Sequence, residues 1–431
     1  MPDARVRIAK REVTFLLVTW DGGGNSPPMQ ALASELVGRG HAVRVVGPRC
    51  RRASYERLGA RFEPYSQAPE HDASSPETDL VRDWEARTPM GAFARMRDNL
   101  MFGPARQFAL EVLDAVERER PAAAVIDYML TGAAAGARRA GVPAAALVHS
   151  VYPLPADGVP PFGLGLAPAR GPLGRLRDRA LGRVALRPFA VGLDALNGVR
   201  QEFGVPEIDE LPALLDDFAL VLVAVPAAFD LAGRASLQPS IRFTGHMAPP
   251  APTETWQNPW EDADTRPLVV VGLSTTFMDQ RPLARRILEA VGGLPVRVLF
   301  TLGPALRVDG VAIPDNVVTA TFVPHSLVMP HAAAAVTHGG LGTVGAALSA
   351  GVPLVCIPSG RDQADNAVRV VEASAGVRLS SRAQPRAIRA AVERVLADPE
   401  LHAGAKRMQA AFNHDGAAQA ADLLEDLADP R

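Results

Sequence analysis

Cysteine is nearly absent from this chain of 431 residues, which has only Cys50 and Cys356. Two thiols are too few for a disulfide framework, so we expect a protein of the reducing cytoplasm in which both act as small apolar side chains. A strong net charge is lacking too, because the formal charge is -2. No long run of Lys or Arg indicates a nucleic-acid or anionic-membrane partner, and we expect neither.

Long hydrophobic runs are also missing. The apolar segment 13–20 is too short to cross a bilayer, and it ends in a glycine-rich turn instead of a small-residue cleavage site. We therefore expect no export and no stable membrane anchor. The length of 431 residues exceeds that of one ordinary core, which predicts two domains.

The first half of the chain has the pattern of a parallel α/β domain. A continuous apolar run at 12–20 is followed by the turn DGGGNSPP, the helix-like segment MQALASELVGRG and the strand-like segment HAVRVVG, which together form a βαβ unit. The pattern returns between Ala122 and His149. We assign 1–244 to this N-terminal domain, with the Pro-, Gly- and Arg-rich segment 151–188 as an excursion above its sheet.

A proline-rich segment separates this domain from a second one. Residues 245–267 show little periodicity, which predicts an interdomain linker. Strands and helices alternate again over 268–405, and this predicts a second Rossmann-like domain. The remainder, 406–431, predicts a C-terminal helical tail, with the final helices expected over 386–396 and 403–427. Two facing domains of this type bind ligands in the crevice between the carboxyl ends of their strands.

A glycine-rich turn in the second domain is the main candidate for a phosphate site. The sequence THGGLGTVG places His338 at a strand exit, with Gly340 and Gly342 in the turn and a helix starting near Thr343. Backbone N–H groups at such a helix start bind phosphates. Short glycine motifs also occur in turns without a ligand, so the assignment depends on the flanking segments.

Two flanking segments have suitable chemistry. Downstream, Asp362 and Gln363 follow the next strand, and their carboxylate and amide groups suit sugar hydroxyls, with a simple helix cap as the alternative. Upstream, Phe322 lies in a proline-bounded loop where a planar base can stack and the backbone at Val323 can bind the base edge. A buried core position is the alternative for Phe322.

The order F-V-P-H, HGG-x-GT, AL-x-x-GVP and P-x-x-x-DQ-x-x-NA resembles the donor-binding signature of family 1 glycosyltransferases, most closely the bacterial natural-product members. The resemblance covers nearly the whole chain. It implies the GT-B fold, an α/β architecture of two facing Rossmann-like domains with parallel sheets and a C-terminal helical tail. Plant members have Trp and Glu where this chain has Phe322 and Ala346, which again favours the bacterial branch.

The resemblance also implies an activity and a set of donor-site residues. The activity is inverting, metal-independent transfer of a sugar or deoxysugar from a dTDP- or UDP-linked co-substrate, with no cofactor, to a hydrophobic aglycone in antibiotic biosynthesis. The implied donor residues are Phe322 and Val323 for the base, Ser274, Thr275, His338, Gly340, Gly342 and Thr343 for the diphosphate, and Asp362 and Gln363 for the sugar.

The catalytic position departs from the family pattern. Many members have G-H-x-x-P after the first strand, with the His as general base and an Asp that orients it. Here Asn25 occupies that position, and an amide cannot serve as a base. Asp127, which aligns with the orienting Asp, is our first candidate base, Asp21 the second and His149 the third. Their structural alternatives are a helix cap, a self-bonded turn and a packed strand end, respectively.

Bulky apolar residues before a helix predicted near Pro104 are the candidates for acceptor binding, and we select Trp84, Met101 and Phe102. They favour an apolar, polycyclic or macrocyclic aglycone. Two other functions stay compatible with the sequence: a nucleotide-sugar epimerase of GT-B fold, and a catalytically silent glycosyltransferase-like partner protein. The oligomeric state is open, with a homodimer as one option.

Overall fold

The computed structural model describes residues 12–249, 255–261 and 263–429. They form two sheets, and all the strand pairs within them are parallel. The first sheet consists of β1 (Thr14–Val18), β2 (Ala42–Gly47), β3 (Arg61–Pro64), β4 (Ala123–Asp127), β5 (Ala144–Val148), β6 (Leu220–Val223) and β7 (Ile241–Phe243). The second consists of β8 (Leu268–Gly272), β9 (Arg297–Thr301), β10 (Val317–Ala320), β11 (Ala334–Thr337), β12 (Leu354–Cys356) and β13 (Gly376–Arg378).

Helices connect and cover the strands. In the first half of the chain they are α1 (Ser26–Gly38), α2 (Arg52–Glu56), α3 (Pro89–Met96), α4 (Ala105–Arg118), α5 (Thr131–Arg139), α6 (Pro172–Ala190) and α7 (Leu193–Glu202). In the second half they are α8 (Arg281–Val291), α9 (His325–Val328), α10 (Leu341–Ser349), α11 (Gln363–Glu372), α12 (Pro385–Ala397), α13 (Pro399–Phe412) and α14 (Gly416–Ala428). The predicted architecture of two Rossmann-like units is confirmed.

The central strands are apolar along their whole length because helices cover both faces of a parallel sheet. All five residues of β4 and all five of β8 are buried. These runs of Val, Ile, Leu and Ala are the signal from which the strands could be predicted.

The order of the strands determines where ligands bind. The first sheet has the order β3-β2-β1-β4-β5-β6-β7, and the second has β10-β9-β8-β11-β12-β13. Each order reverses once, between β1 and β4 and between β8 and β11, and crevices form at such switch points. Asn25 follows β1 and Asp127 is the last residue of β4, while Ser274 and His338 follow β8 and β11. The predicted catalytic and diphosphate residues therefore lie at the two switch points.

The end of the chain differs from the prediction. The single helix expected over 403–427 is wrong, because α13 ends at Phe412 and α14 begins at Gly416. The Oδ1 atom of Asp415 accepts a hydrogen bond from the backbone N–H of Ala418 (3.0 Å) and so caps a new helix. Alanine-rich periodicity on both sides of the break concealed it in the sequence.

The last helix lies on the first domain. α14 packs against α1, and Arg39 at the end of α1 donates to Oδ1 of Asp422 (2.6 Å) and to the carbonyl of Ala418 (2.9 Å). His41 Nε2 lies 3.1 Å from Oε1 of Glu425. The C-terminal end of the chain is therefore held by the N-terminal domain.

The predicted linker, 245–267, includes residues 250–254 and 262, which lie outside the described residues. The domain boundaries therefore stay a prediction. No helix in the described part of the chain has the length and apolarity needed to cross a bilayer.

Candidate active site

A cleft of about 1550 Å³ lies between the carboxyl ends of the two sheets. The first domain lines it with residues of the segments 20–28 and 148–163, and the second lines it with residues of 273–276, 338–343 and 359–364. Pockets for one small ligand usually measure about 300–1000 Å³. The cleft therefore has room for two substrates at once.

Asn25 is buried at the start of α1, and its amide is fully engaged. Its Oδ1 accepts from the backbone N–H of Gly22 (2.8 Å), while Nδ2 donates to the carbonyl of Trp20 (2.9 Å) and to Oδ2 of Asp127 (3.0 Å). The two acceptors around Nδ2 fix the orientation of the amide. Asn25 thus contacts Asp127 from the position that the family pattern gives to His, but only as a donor.

Asp127 and His149 form a carboxylate–imidazole pair in the cleft. The neighbouring strands β4 and β5 end side by side, with Asp127 opposite Leu147, which brings His149 next to Asp127. The Nδ1 atom of His149 lies 3.1 Å from Oδ2 of Asp127, although the N–H direction is not aligned for a hydrogen bond. Such contacts are often loose without substrate and tighten in the complex.

Of the three candidate bases, His149 has the most exposed side chain. Its side chain is 16% exposed and that of Asp127 is 1% exposed, and the imidazole lines the cleft beside the ring of Tyr128 (centroids 5.2 Å apart). A buried carboxylate can orient this imidazole, but it cannot easily reach an acceptor. The geometry therefore favours His149 over Asp127, the reverse of the order expected from the sequence.

Asp21 is committed to structural contacts. Its Oδ1 accepts from Nε of Arg51 (3.0 Å) and from the backbone N–H of Gly23 (3.2 Å), and its Oδ2 accepts from the backbone N–H of Ala73 (3.2 Å). The side chain is buried. This geometry fits the structural alternative, a turn carboxylate bonded to its own backbone, and disfavours Asp21 as a base.

The diphosphate turn opens onto free space at the start of α10. The helix begins at Leu341, two residues before the predicted start near Thr343. A Cβ added at Gly342 would meet no protein atom within 4 Å, and the residues of this first turn line the cleft. The first N–H groups of a helix have no helical acceptor, so this turn can bind an anion.

Two glycines shape the turn before α10. Gly339 has a φ of +89°, which L side chains avoid. A Cβ at Gly340 would lie 2.4 Å from Nε2 of His338, so the imidazole leaves no room for a side chain there. The glycines therefore place His338 directly against the helix start.

His338 is neutral in this position, because burial lowers its pKa to about 4. Its Nδ1 lies 3.5 Å from the carbonyl oxygen of Gly272 and 3.4 Å from Oγ1 of Thr337. A neutral imidazole donates from one nitrogen only. When the proton is on Nε2, His338 gives a diphosphate one hydrogen bond without adding charge, and Nδ1 then makes only the long contacts with the Gly272 carbonyl and Oγ1 of Thr337.

The variant His338→Ala is expected to weaken nucleotide-sugar binding by roughly 10- to 100-fold, because a hydrogen bond to a charged group contributes about 1.5–3 kcal/mol. The loss should be equal at pH 6 and pH 8, since the pKa of about 4 keeps the ring neutral at both. Titration calorimetry with the nucleotide measures this loss. His402→Ala, on α13, is the control, and an unchanged dissociation constant for His338→Ala would remove His338 from the donor site.

Both predicted residues of the loop after β8 line the cleft, and they differ in exposure. Ser274 is buried, its N–H donates to Oε1 of Gln280 (2.9 Å), and its hydroxyl lies 2.9 Å from Oγ1 of Thr276. Thr275 is exposed and lines the cleft. Thr275 is therefore better placed for a phosphate than Ser274.

Asp362 and Asn366 connect the loop after β12, which contains the predicted sugar-binding residues, to the diphosphate turn. Asp362 immediately precedes α11 and makes no side-chain capping bond, so the helix-cap alternative does not hold. Its Oδ2 accepts from Nδ2 of Asn366 (2.9 Å), and the same Nδ2 donates to the carbonyl of Gly339 (2.9 Å). This arrangement leaves Oδ1 of Asp362 for a sugar hydroxyl.

Gln363 stabilises the preceding loop, which contains Ser359 and Gly360. Its Oε1 accepts from the backbone N–H groups of Ser359 (2.8 Å) and Gly360 (3.1 Å), and its Nε2 donates to the sulfur of Met278 (3.2 Å). A thioether is a weak acceptor. Nε2 is therefore the atom of Gln363 that a sugar hydroxyl can recruit.

Phe322 is 71% exposed and lines the cleft. The alternative of a buried core ring is therefore wrong, and the ring is available for stacking with a base. Val323 is partly buried and packs against the core, which holds the loop in place.

The acceptor candidates fall into two groups. Trp84 and Met101 line the cleft, and the ring of Trp84 packs edge-on against Phe277 of the second domain (centroids 4.9 Å apart). Phe102 is buried and does not line the cleft, because its ring turns toward Phe189 (6.4 Å between centroids). The prediction for Phe102 is wrong: adjacent positions on a helical turn point about 100° apart.

An ion pair that the sequence analysis missed spans the cleft. Nε and Nη2 of Arg361 donate to the two oxygens of Asp83 (2.7 and 2.9 Å), and Nη1 donates to Oγ1 of Thr276 (2.9 Å). Burial raises the pKa of Asp83, but the Arg361 charge outweighs burial and the pKa lies below its usual value. The partners are 278 positions apart, so no local pattern indicates them.

Helix α11 adds two further contacts with the first domain. Asp365 Oδ2 accepts from the backbone N–H of Gly163 (2.7 Å), and Arg369 Nη2 donates to Oδ1 of Asp230 (2.9 Å). Asp230 also accepts from the backbone N–H of Tyr152 (2.6 Å). Helix α11, which follows the predicted sugar-binding residue Asp362, is therefore bound to loops of the first domain.

Asp365 predicts a pH dependence of stability. Burial raises the pKa of Asp365 to about 6 from 3.8, so the folded protein holds this proton more tightly than the unfolded chain. Stability from this group therefore falls as pH rises from about 4 to 6 and stays low above that range.

Asp365→Asn removes the buried charge and keeps an acceptor for Gly163. The melting temperature of the variant, compared with that of the wild type, should be higher at pH 7.5 than at pH 5. The increase should correspond to about 1.4 kcal/mol in the free energy of unfolding. Calorimetric scans at both values test this, with the exposed Asp309→Asn as control. A difference that does not depend on pH would contradict it.

Residues 285–422 match the family model "Erythromycin biosynthesis protein CIII-like, C-terminal domain". The chain is 33% identical to 4'-demethylrebeccamycin synthase of Lentzea aerocolonigenes over 427 residues, which covers 96% of this chain and 99% of that protein.

Solved structures agree on the fold. The glycotransferase of kitacinnamycin superposes with a TM-score of 0.74 at 23% identity, covering 97% of this chain and 99% of that one. The glycosyltransferase VinC, solved in complex with dTDP, superposes with a TM-score of 0.70 at 19% identity, covering 96% and 99%. The predicted GT-B fold is confirmed.

Proposed function

Because the chain belongs to the family 1 glycosyltransferases of bacterial natural-product biosynthesis, we propose that it transfers a sugar from a dTDP- or UDP-linked donor to an apolar aglycone with inversion at the anomeric carbon. Sugar transfer to a natural-product aglycone is the activity of the family. The nucleotide, the stereochemistry and the roles of His149, Asp127 and His338 are our proposal.

In this mechanism His149 is the general base. The acceptor lies on the first-domain side of the cleft, and Nε2 of His149 takes its proton as the nucleophile attacks the anomeric carbon. The new bond forms at that carbon while the bond to the phosphate oxygen breaks on the opposite face. Asp127 stabilises the imidazolium that results, and Asn25 holds Asp127 in place through Nδ2.

The second domain stabilises the leaving group. Negative charge develops on the diphosphate as the bond breaks, and the free N–H groups of α10 and the neutral His338 are aimed at it. The sequence has no DxD-type carboxylate pair at this turn, so we expect transfer to proceed in a strong chelator. Loss of turnover with chelator that added metal restores would contradict this point.

The observation that carries the proposal is the His149–Asp127 pair at one switch point, opposite the helix start at the other. The test is incubation with dTDP- and UDP-sugars and a panel of polycyclic and macrocyclic acceptors, followed by mass spectrometry. The anomeric coupling constant of the product measured by NMR shows whether inversion occurred. Retention would contradict the direct displacement.

The same experiment separates the two other functions. A sample without acceptor would interconvert the sugar only if the protein were an epimerase. Nucleotide binding without transfer to any acceptor would indicate a silent partner protein. The pairing of His149 with Asp127 favours an active enzyme over this last alternative.

A further inference from the structure

Helix α6 has apolar residues on two opposite faces. On the inner face, Ala185 is buried together with the carboxylate of Asp178. Phe189 on this face packs near Phe93 (5.9 Å between ring centroids). The outer face of the helix has a stripe of exposed apolar residues three, four or seven positions apart, which places them on one side of a helix. They are Leu173, Leu176, Ala180, Val184 and, just after the helix, Val191.

The exposure of this stripe is unusual for a protein surface. Leu173 is 82% exposed, Leu176 is 62% exposed and Val191 is 76% exposed. Single exposed apolar residues need no explanation, but a contiguous group along one helix marks a contact surface.

Beside the stripe runs a row of arginines. Arg175, Arg179, Arg183 and Arg187 follow each other at intervals of four residues and are all exposed. Like charges at this spacing destabilise a helix. Among the described residues none of the four forms an ion pair, and the acid of this helix, Asp178, is already bound by Arg177 (2.8 Å). The row therefore lacks the negative charge that would compensate it.

An exposed apolar stripe beside unpaired arginines is complementary to a surface that is both apolar and anionic. A membrane with acidic headgroups has both properties: leucines enter the acyl boundary, and arginines stay among the phosphates. A nucleic acid would not need the leucines. The position of α6 agrees with this partner, because the helix borders the cleft that takes the apolar acceptor. Three of the four arginines in the row, Arg175, Arg179 and Arg183, also line the edge of that cleft.

We propose that the outer face of α6 binds the surface of an anionic membrane, with the helix lying in the plane of the headgroups. The contact is reversible and needs no spanning helix. It brings the mouth of the cleft to the phase into which apolar aglycones partition. The absence of a continuous basic run concealed this in the sequence, because the arginines become neighbours only once the helix forms.

Sedimentation of the full chain with vesicles tests the proposal. We expect binding to vesicles of phosphatidylcholine with 30% phosphatidylglycerol, and much weaker binding to phosphatidylcholine alone. The variant with Arg175, Arg179, Arg183 and Arg187 changed to Gln should lose on the order of 100- to 1000-fold in partition coefficient, at about fivefold per arginine. Leu173→Ser with Leu176→Ser should lose roughly 10-fold for each leucine.

The charge-matched control changes four exposed arginines elsewhere, Arg285, Arg382, Arg386 and Arg407, to Gln. It should bind almost as the wild type does, and melting curves establish that every variant is folded. Equal loss in the control and the α6 variant would mean non-specific attraction and overturn the proposal. Absence of vesicle binding, with a dimer in light scattering that the leucine variant splits, would assign the stripe to a second copy and also overturn it.

Discussion

His149→Gln is expected to lower kcat by roughly 100- to 10,000-fold, the contribution of a general base, while the dissociation constant for the nucleotide sugar stays within about twofold. Donor affinity should stay unchanged because His149 and Asp127 line the first-domain side of the cleft, whereas the predicted donor contacts come from the second domain. Single-turnover transfer rates and titration calorimetry measure the two quantities separately.

The companion variants decide between His149 and Asp127. If His149 is the base, Asp127→Asn should lose less activity than His149→Gln, because it removes only the charge that stabilises the imidazolium. If Asp127 is the base, the order is reversed. His402→Gln serves as the matched control. Full activity of His149→Gln would overturn the assignment.

A rescue experiment adds a result that a structural role would not produce. Nδ2 of Asn25 lies 3.0 Å from Oδ2 of Asp127, so a histidine at position 25 can reach the same carboxylate. We expect Asn25→His to restore at least tenfold of the activity lost in His149→Gln, because it recreates the family arrangement. Recovery of activity without any change at Asp127 would identify the carboxylate as the shared positioning group.

Arg361→Met is expected to shift the protein from its closed to an open arrangement. The substitution leaves Asp83 buried without its counter-ion, which costs about 3–5 kcal/mol. Because the two residues belong to different domains, opening of the cleft lets water reach the carboxylate and relieves this cost. A larger radius of gyration in solution scattering and a donor affinity at least tenfold weaker are the measurable results.

The double variant Arg361→Met with Asp83→Leu provides the control for this prediction. It removes both charges, so closure and donor affinity should largely recover. The pKa of Asp83 is below its usual value, so the pair stabilises above pH 3.8 and this contribution is lost as pH falls further. A scattering profile of Arg361→Met identical to that of the wild type at pH 7 would contradict the role in closure.

Structural elements that have a distinctive pattern within a few consecutive residues could be predicted from the sequence. The buried strands, the turn at His338 and the loop after β12 each have a pattern within a few residues, since apolar runs, glycines and polar strand ends determine local backbone geometry. The break between α13 and α14 was missed because only Asp415 and Gly416 indicate it within an alanine-rich stretch.

Contacts between distant residues could not be predicted in this way. The sequence suggested His149 only as the third candidate, because its value depends on lying next to Asp127 across two strands. The partners Arg361 and Asp83 lie in different halves of the chain and meet across the cleft. The core position of Phe102 depends on how the turn before it directs the ring. These features follow from tertiary packing, on which a single sequence has no local signal.

The packing of α14 on the first domain limits how hybrid enzymes can be built from two members of this family. A hybrid made by one crossover in the linker would combine the acceptor half of one enzyme with a terminal helix from another, and the contacts of Arg39 and His41 with α14 would be mismatched. Hybrids with a second crossover near Asn413, which return α14 to its own acceptor half, should fold more reliably. The unit of exchange for the donor specificity is therefore an internal segment of the chain, not its C-terminal half.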